Sequence, residues 1–233
     1  MQVSQVKVTR RDLLIGSLTG LVAATVLPSV AEAVIITNPT VRQHGPVALI
    51  GDSLSAGNIR ELRKMLVDHG VGPFRLDIVS GSSITKSWGK RKSGLVRVAK
   101  MRESGFDPGA WVIALGGNDL ADFRWKRRDP LTEINKMLDL LGPDAVVAWP
   151  TIARQFKRWW PVAQQFNDAL RVAAETHPNL HIIEWADLLN QHNPKWYVKG
   201  DNAHLRGAGV VARNQMTTDA MILVADAKHG GTV

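Results

Sequence analysis

Five short apolar runs punctuate the chain: Val47 to Ile50, Phe74 to Val79, Trp111 to Leu115, Ala145 to Trp149 and Leu180 to Ile183. Each is brief and mostly continuous, the pattern of strands covered on both faces rather than on one. Helix-like segments separate them. Ile59 to His69 stops at Gly70; Pro130 to Leu141 follows Asp129 as cap and stops at Gly142; Pro161 to Thr176 is amphipathic; a last helix is predicted over Gly209 to Val224. Proline in a first turn and glycine past the last one are the expected helix punctuation. Alternation of strand and helix predicts an α/β fold with a five-stranded parallel sheet and right-handed crossovers.

The chain has 233 residues. Its first third of a hundred residues reads differently from the rest: residues 1–33 as an export signal, 34–45, with Thr37-Asn38-Pro39-Thr40, as a linker, and 46–233 as the folded domain. About 200 residues suffice for one well-buried domain and are too few for two. No internal repeat or low-complexity tract interrupts it.

The residues that carry chemistry follow the strands. Gly51-Asp52-Ser53-Leu54 comes directly after the first apolar run, Gly116-Gly117-Asn118-Asp119 after the third, and Asp201-Asn202-Ala203-His204 near the C-terminus. Binding crevices of open α/β sheets lie outside the carboxyl ends of strands. A serine hydroxyl is a poor nucleophile at neutral pH and needs a base within hydrogen-bond reach and a third group to orient that base. Ser53, His204 and Asp201 supply those parts. Taken singly, Gly-Asp-Ser-Leu reads as a turn and Asp-x-x-His as a local cap; three such segments converging on one sheet edge read as a site. The nucleophile elbow Gly-x-Ser-x-Gly of another hydrolase fold is absent, since Ser55 stands at its fifth position.

In these blocks and their order the chain resembles the SGNH hydrolases, also called GDSL esterases and lipases. Gly81, in Val79-Ser80-Gly81-Ser82-Ser83, is the best match to that family's lone second-block glycine. The resemblance implies a three-layer α/β/α sandwich, flavodoxin-like in plan. It implies Ser53 as nucleophile, His204 as general base and then acid, and Asp201 as the orienting carboxylate. It also implies an oxyanion hole built from the backbone N–H groups of Ser53 and Gly81 and the Asn118 side-chain amide, fixed donors where charge develops. Asp52 and Asp119 are expected to brace loops. One departure is Leu205, where many family members carry proline.

Thr9-Arg10-Arg11-Asp12-Leu13-Leu14 opens a mildly apolar stretch to Leu27, followed by the small-x-small triplet Ala31-Glu32-Ala33. It resembles a twin-arginine export signal, with an uncleaved membrane anchor as the alternative. The apolar part, about 15 residues, falls short of the roughly 20 that span a bilayer. The expected location is therefore periplasmic, cell-envelope or secreted. With no cysteine, neither a disulfide nor a lipoprotein anchor can form.

The net charge is +8, and residues 1–33 contribute +1 of it, so the remainder is +7. Much of that charge lies in loops expected to rim the crevice: Lys86, Lys90, Arg91 and Lys92; Arg124, Lys126, Arg127 and Arg128; Lys157 and Arg158. Trp88, Trp125, Trp159, Trp160 and Trp196 lie in or beside those loops. Either the charge is an ordinary solvated surface or it attracts anionic substrates or an anionic envelope polymer; the tryptophans either close over the core or stack on sugar rings or acyl chains. No nucleic-acid recognition motif and no phosphate-binding glycine loop accompany the charge. His177 and His181 flank Pro178-Asn179, which breaks the helix that could align them on a metal. No cofactor or metal is expected, and a monomer is. The expected function is an exported serine esterase removing a short acyl group from a carbohydrate or cell-envelope glycan through an acyl-Ser53 intermediate. An O-acyltransferase using the same residues and a non-catalytic basic envelope-binding domain are the alternatives.

Overall fold

A computed structural model describes residues 42–192 and 194–230. The export signal read over 1–33 and most of the 34–45 linker lie outside them. The described elements run β1 (Val47–Gly51), α1 (Ile59–Asp68), β2 (Phe74–Ile78), α2 (Gly94–Glu103), β3 (Ala110–Ala114), α3 (Leu120–Arg124), α4 (Pro130–Leu141), β4 (Val146–Pro150), α5 (Trp160–Thr176), β5 (Leu180–Ile183), α6 (Trp185–His192) and α7 (Ala208–His229). All five strands are parallel, in the order β2-β1-β3-β4-β5.

Because successive residues of a strand face opposite ways, each strand feeds two cores. Ala48, Ile50, Trp111, Ile113, Val147 and Trp149 face one layer, where α2, α4 and α5 bring Val98, Met137 and Phe166. Val47, Leu49, Val112 and Ala148 face the other, against Leu62 and Leu66 of α1 and Met221 and Val224 of α7. The α/β/α sandwich is thus a direct result of strands that are apolar on both faces. Each fully buried large apolar side chain of this kind contributes roughly 1.5–3 kcal/mol. No described helix is long and apolar enough to cross a membrane.

The five predicted strands and four predicted helices are present with ends shifted by a few residues, and α7 extends to His229. Three helices escaped the apolar pattern for identifiable reasons. In α2 a core-facing position is taken by Arg97, 4% exposed, which donates to Asp77 O and Oδ1 and to Gly51 O and so interrupts the apolar stripe. The five residues of α3 are too few to display a period. The eight of α6 follow β5 with a single residue between. Of the segment read as a linker, His44 is buried and its Nδ1 lies 2.6 Å from Asp226 Oδ1 on α7.

Two features of this topology place the site. The strand order reverses direction between β1 and β3, which opens a crevice at their carboxyl ends. The Ser53 segment leaves β1 there and the Asn118 segment leaves β3 beside it.

Candidate active site

Ser53 opens a single 3-10 turn, Ser53–Ser55, immediately after β1. Asp52 caps that turn, its Oδ1 accepting the Leu54 N–H at 2.9 Å. The chain then enters α1, capped by Asn58, whose Oδ1 accepts the Glu61 N–H. Ser53 is therefore lifted on a short capped turn at the mouth of the crevice.

His204 and Asp201 arrive on a loop closed by a short ladder. Val198 N–H donates to His204 O at 2.9 Å and Arg206 N–H to Trp196 O at 2.8 Å, with Tyr197 and Leu205 paired antiparallel between them. Inside this loop Asp201 Oδ1 accepts the N–H groups of Ala203 at 2.6 Å and His204 at 2.8 Å. Its Oδ2 faces His204 Nδ1 at 2.9 Å, and His204 Nε2 lies 3.0 Å from Ser53 Oγ, across 151 residues of sequence. Partial burial pushes the Asp201 carboxyl upward, but the two backbone N–H groups and the imidazole outweigh it and hold the group down at about 2. An ionised carboxylate only accepts, so Nδ1 carries the ring proton and Nε2 is left to accept from Ser53. The structure therefore assembles the three residues into one hydrogen-bonded line, with the imidazole half exposed.

The expected oxyanion donors are arranged less simply. Neither the Ser53 nor the Gly81 N–H donates to another described residue. Gly81 has φ +73°, a left-handed conformation that glycine adopts without a steric cost. The Asn118 amide, however, donates to Asp52 Oδ2 at 2.9 Å and to Ser82 O at 3.1 Å. An amide nitrogen has two hydrogens, so in this state Asn118 ties the Ser53 turn to the Gly81 loop and has no donor left over. Serving an oxyanion requires exchange of one of these bonds.

Asp52 and Asp119 brace loops. Both Asp119 oxygens face the Ile84 N–H, and its Oδ1 accepts from Arg128 Nη2 at 2.7 Å. Burial nonetheless outweighs Arg128 and pushes Asp119 up to about 6. Arg128 also pairs with Asp122 and Glu133 and so binds α3, α4 and the Ile84 loop together.

Two residues of the site were not anticipated, Arg154 and Arg213. Asp52 is 3% exposed, and burial pushes its carboxyl up, opposed by the Leu54 N–H, Arg213 and Arg154. Arg154 follows β4 and donates to Gly117 O at 2.6 Å and Ala153 O at 3.1 Å. Arg213 is 4% exposed on α7, and burial lowers it to about 10 despite Asp52. With Asp52, Leu54, Gly117 and Ala203 it lines a small cavity of about 20 Å³ against the Ser53 and His204 loops. The signal for Arg213 in the chain was weak, because α7 buries more than one face, Asn214, Met216 and Thr218 as well as Arg213 and Thr217, and so shows no distinct apolar stripe. For Arg154 there was none, because its burial is set by the neighbouring loops.

No family model and no curated protein matches the chain. Solved structures do. One is the C-terminal catalytic domain of peptidoglycan O-acetyltransferase A from Streptococcus pneumoniae with a methylsulfonyl adduct, 15% identical over 82% of this chain and 98% of that one, TM-score 0.59. A member of the lipolytic G-D-S-L family from Veillonella parvula DSM 2008 is 14% identical over 75% of this chain and 96% of that one, TM-score 0.59. The acetyl xylan esterase AlAXEase is 17% identical over 76% of this chain and all of that one, TM-score 0.59. At these identities the likeness is one of fold: the chain has the α/β fold of the GDSL, or SGNH, hydrolases.

Proposed function

We propose that this SGNH-fold chain is an exported serine esterase that removes a short acyl group from a carbohydrate or cell-envelope glycan. The observation that carries the reading is the line Asp201–His204–Ser53, with contacts of 2.9 and 3.0 Å. Ser53 Oγ attacks the ester carbonyl carbon as its proton passes to His204 Nε2. Negative charge gathers on the former carbonyl oxygen, for which the N–H groups of Ser53 and Gly81 are available, and Asn118 joins them by releasing Ser82 O or Asp52. The intermediate collapses to an acyl-Ser53, and the alcohol leaves with the proton from Nε2. Water then repeats the sequence, giving up a proton to Nε2 and releasing the acid and free Ser53. Asp201 stays ionised throughout and holds the imidazole tautomer.

The glycan and the short acyl group are supported by the likeness to an acetyl xylan esterase. Export rests on the Arg10-Arg11 segment and the Ala31-Glu32-Ala33 triplet. Likeness to a peptidoglycan O-acetyltransferase domain favours a second reading, in which a sugar hydroxyl replaces water in the second step.

The test is incubation of the purified protein with 4-nitrophenyl acetate and with a serine-directed phosphonate. Turnover and covalent labelling that both vanish in Ser53→Ala are expected; unchanged activity in that variant rules out Ser53 as nucleophile. Supplying acetylated glycan together with an acceptor sugar, and measuring released acetate against transferred acetyl, separates hydrolysis from transfer.

A further inference from the structure

Three loops that leave the same sheet edge as Ser53 share an unusual composition. Residues 85–92 lie between β2 and α2, 124–128 run from the last residue of α3 toward α4, and 154–160 run from beyond β4 to the first residue of α5. Together they hold eleven of the chain's 29 Lys and Arg, four of its eight Trp, and no Asp or Glu. These loops alone carry +11 against a chain total of +8, so everything outside them is net −3. Eight of the eleven cations are exposed on the surface of these loops, whereas Arg154 is buried and Lys86 and Arg128 are partly buried against Asp122.

That surface is continuous and reaches the site at both ends. The Arg91 guanidinium lies against Gly81. Lys86 Nζ meets Asp122 Oδ2 at 3.3 Å, which joins the first loop to α3. Arg124 Nη1 donates to Arg158 O at 3.3 Å, which joins the second loop to the third. Gln155 N–H and Phe156 N–H donate to Asn202 O and Oδ1 at 3.0 and 2.9 Å, which joins the third loop to the segment carrying His204. Along it each loop exposes a tryptophan beside a cation. Trp88, Trp125 and Trp160 are 56%, 59% and 46% exposed, and Lys86, Arg127 and Lys157 stand 3.9, 5.0 and 5.9 Å from the respective ring centroids.

We infer that these loops are a docking surface for an anionic polysaccharide, whose sugar rings stack on the exposed indoles and whose carboxylates pair with the intervening cations. This rests on the esterase reading and narrows its substrate to a polyanionic, acylated glycan. Exposed indoles offer a flat apolar face to the C–H surface of a sugar ring, and cations set between them match a polymer that alternates rings with charge. A nucleic acid would suit the charge and the stacking but carries no carboxylic ester for Ser53. An anionic bilayer would suit the charge, yet the tryptophans are spaced by cations rather than gathered into one apolar patch for insertion.

The test is binding of the full chain to carboxymethyl-dextran and to unmodified dextran, which differ only in the carboxylates, followed by calorimetry or fluorescence of the exposed tryptophans. Expected is binding to the anionic polymer alone, weakening by about tenfold or more between roughly 50 and 300 mM salt. Trp88→Ala with Trp125→Ala weakens it about tenfold or more at fixed salt, the indoles providing what charge alone does not. Lys90→Gln with Lys126→Gln and Lys157→Gln, one exposed cation per loop, weakens it and flattens the salt dependence. Equal binding to both dextrans, no loss in the tryptophan variant, or tighter binding to an oligothymidylate or to phosphatidylglycerol vesicles would each overturn the inference. Wild-type hydrolysis of 4-nitrophenyl acetate without binding to the polyanion defeats this inference alone; no hydrolysis at all defeats the esterase reading beneath it.

Discussion

Replacing Asp201 by asparagine should abolish turnover while leaving the fold almost untouched, because the loop dictates how the new amide must sit. Asp201 Oδ1 accepts two backbone N–H groups, from Ala203 at 2.6 Å and His204 at 2.8 Å. An –NH₂ placed there would meet two donors head-on, so asparagine must keep its oxygen in that position. Its nitrogen is then forced to the Oδ2 position, 2.9 Å from His204 Nδ1. Facing a donor, Nδ1 must give up its proton and accept, and the ring proton moves to Nε2. In that tautomer Nε2, 3.0 Å from Ser53 Oγ, has no lone pair with which to take the serine proton. Loss of the right tautomer costs on the order of 10⁴ in kcat in serine triads, about 5 kcal/mol of barrier. Stability should change by only about 1 kcal/mol, since both backbone bonds survive. Asp201→Ala removes those two bonds as well and should lose both activity and stability. The assay pairs kcat for 4-nitrophenyl acetate with thermal unfolding of the same preparations. Asp201→Asn retaining more than about a tenth of wild-type kcat would refute the forced-tautomer reasoning. The carboxylate also has a signature in stability. Its native value, about 2, is depressed from 3.8, so the stability it contributes is present above about pH 4 and is lost as pH falls through about 2. Asp201→Asn should lack that acid-linked loss.

Other perturbations read different links. Asn118→Ala should lower kcat by roughly a hundredfold if the amide releases Ser82 O or Asp52 to serve the oxyanion; a change confined to KM would show that it only ties loops. At Gly116, φ is +113° and an added Cβ would fall 2.5 Å from Phe166 Cζ, so Gly116→Ala should destabilise by about 2–4 kcal/mol from strain and overpacking. For a chain of this size that is roughly 5–15 °C in Tm, and an unchanged Tm would refute it. Asp119 is raised from 3.8 to about 6, so the native state holds its proton more tightly than the unfolded chain. Its contribution is complete below about pH 4 and is lost as pH rises through about 6, so the Tm of Asp119→Asn should gain on wild type across that window. A difference independent of pH would show that burial does not dominate there.

Much of the fold was legible because its causes are local. Two-sided apolar runs gave the strands, and Asp129 before Pro130 with Gly142 beyond Leu141 gave α4 both its ends. The helices that were not legible are those in which a tertiary partner overrode the local pattern, as Arg97 does in α2, or which are too short to show a period. The candidate site divides the same way. Its members announced themselves as polar blocks after apolar runs, yet nothing in those blocks revealed that both hydrogens of Asn118 are already engaged, or that Arg154 is buried beneath them.

By itself the sequence determined which side chains could do chemistry and at which strand ends they stand, since turn chemistry and side-chain periodicity act over a few residues. Only the tertiary structure decided that Ser53 and His204, 151 residues apart, come within 3.0 Å, and that three basic loops join into one surface beside them. Those placements follow from the strand order and from how α1 and α7 pack on one face of the sheet and α2, α4 and α5 on the other, and packing is a property of the whole chain at once.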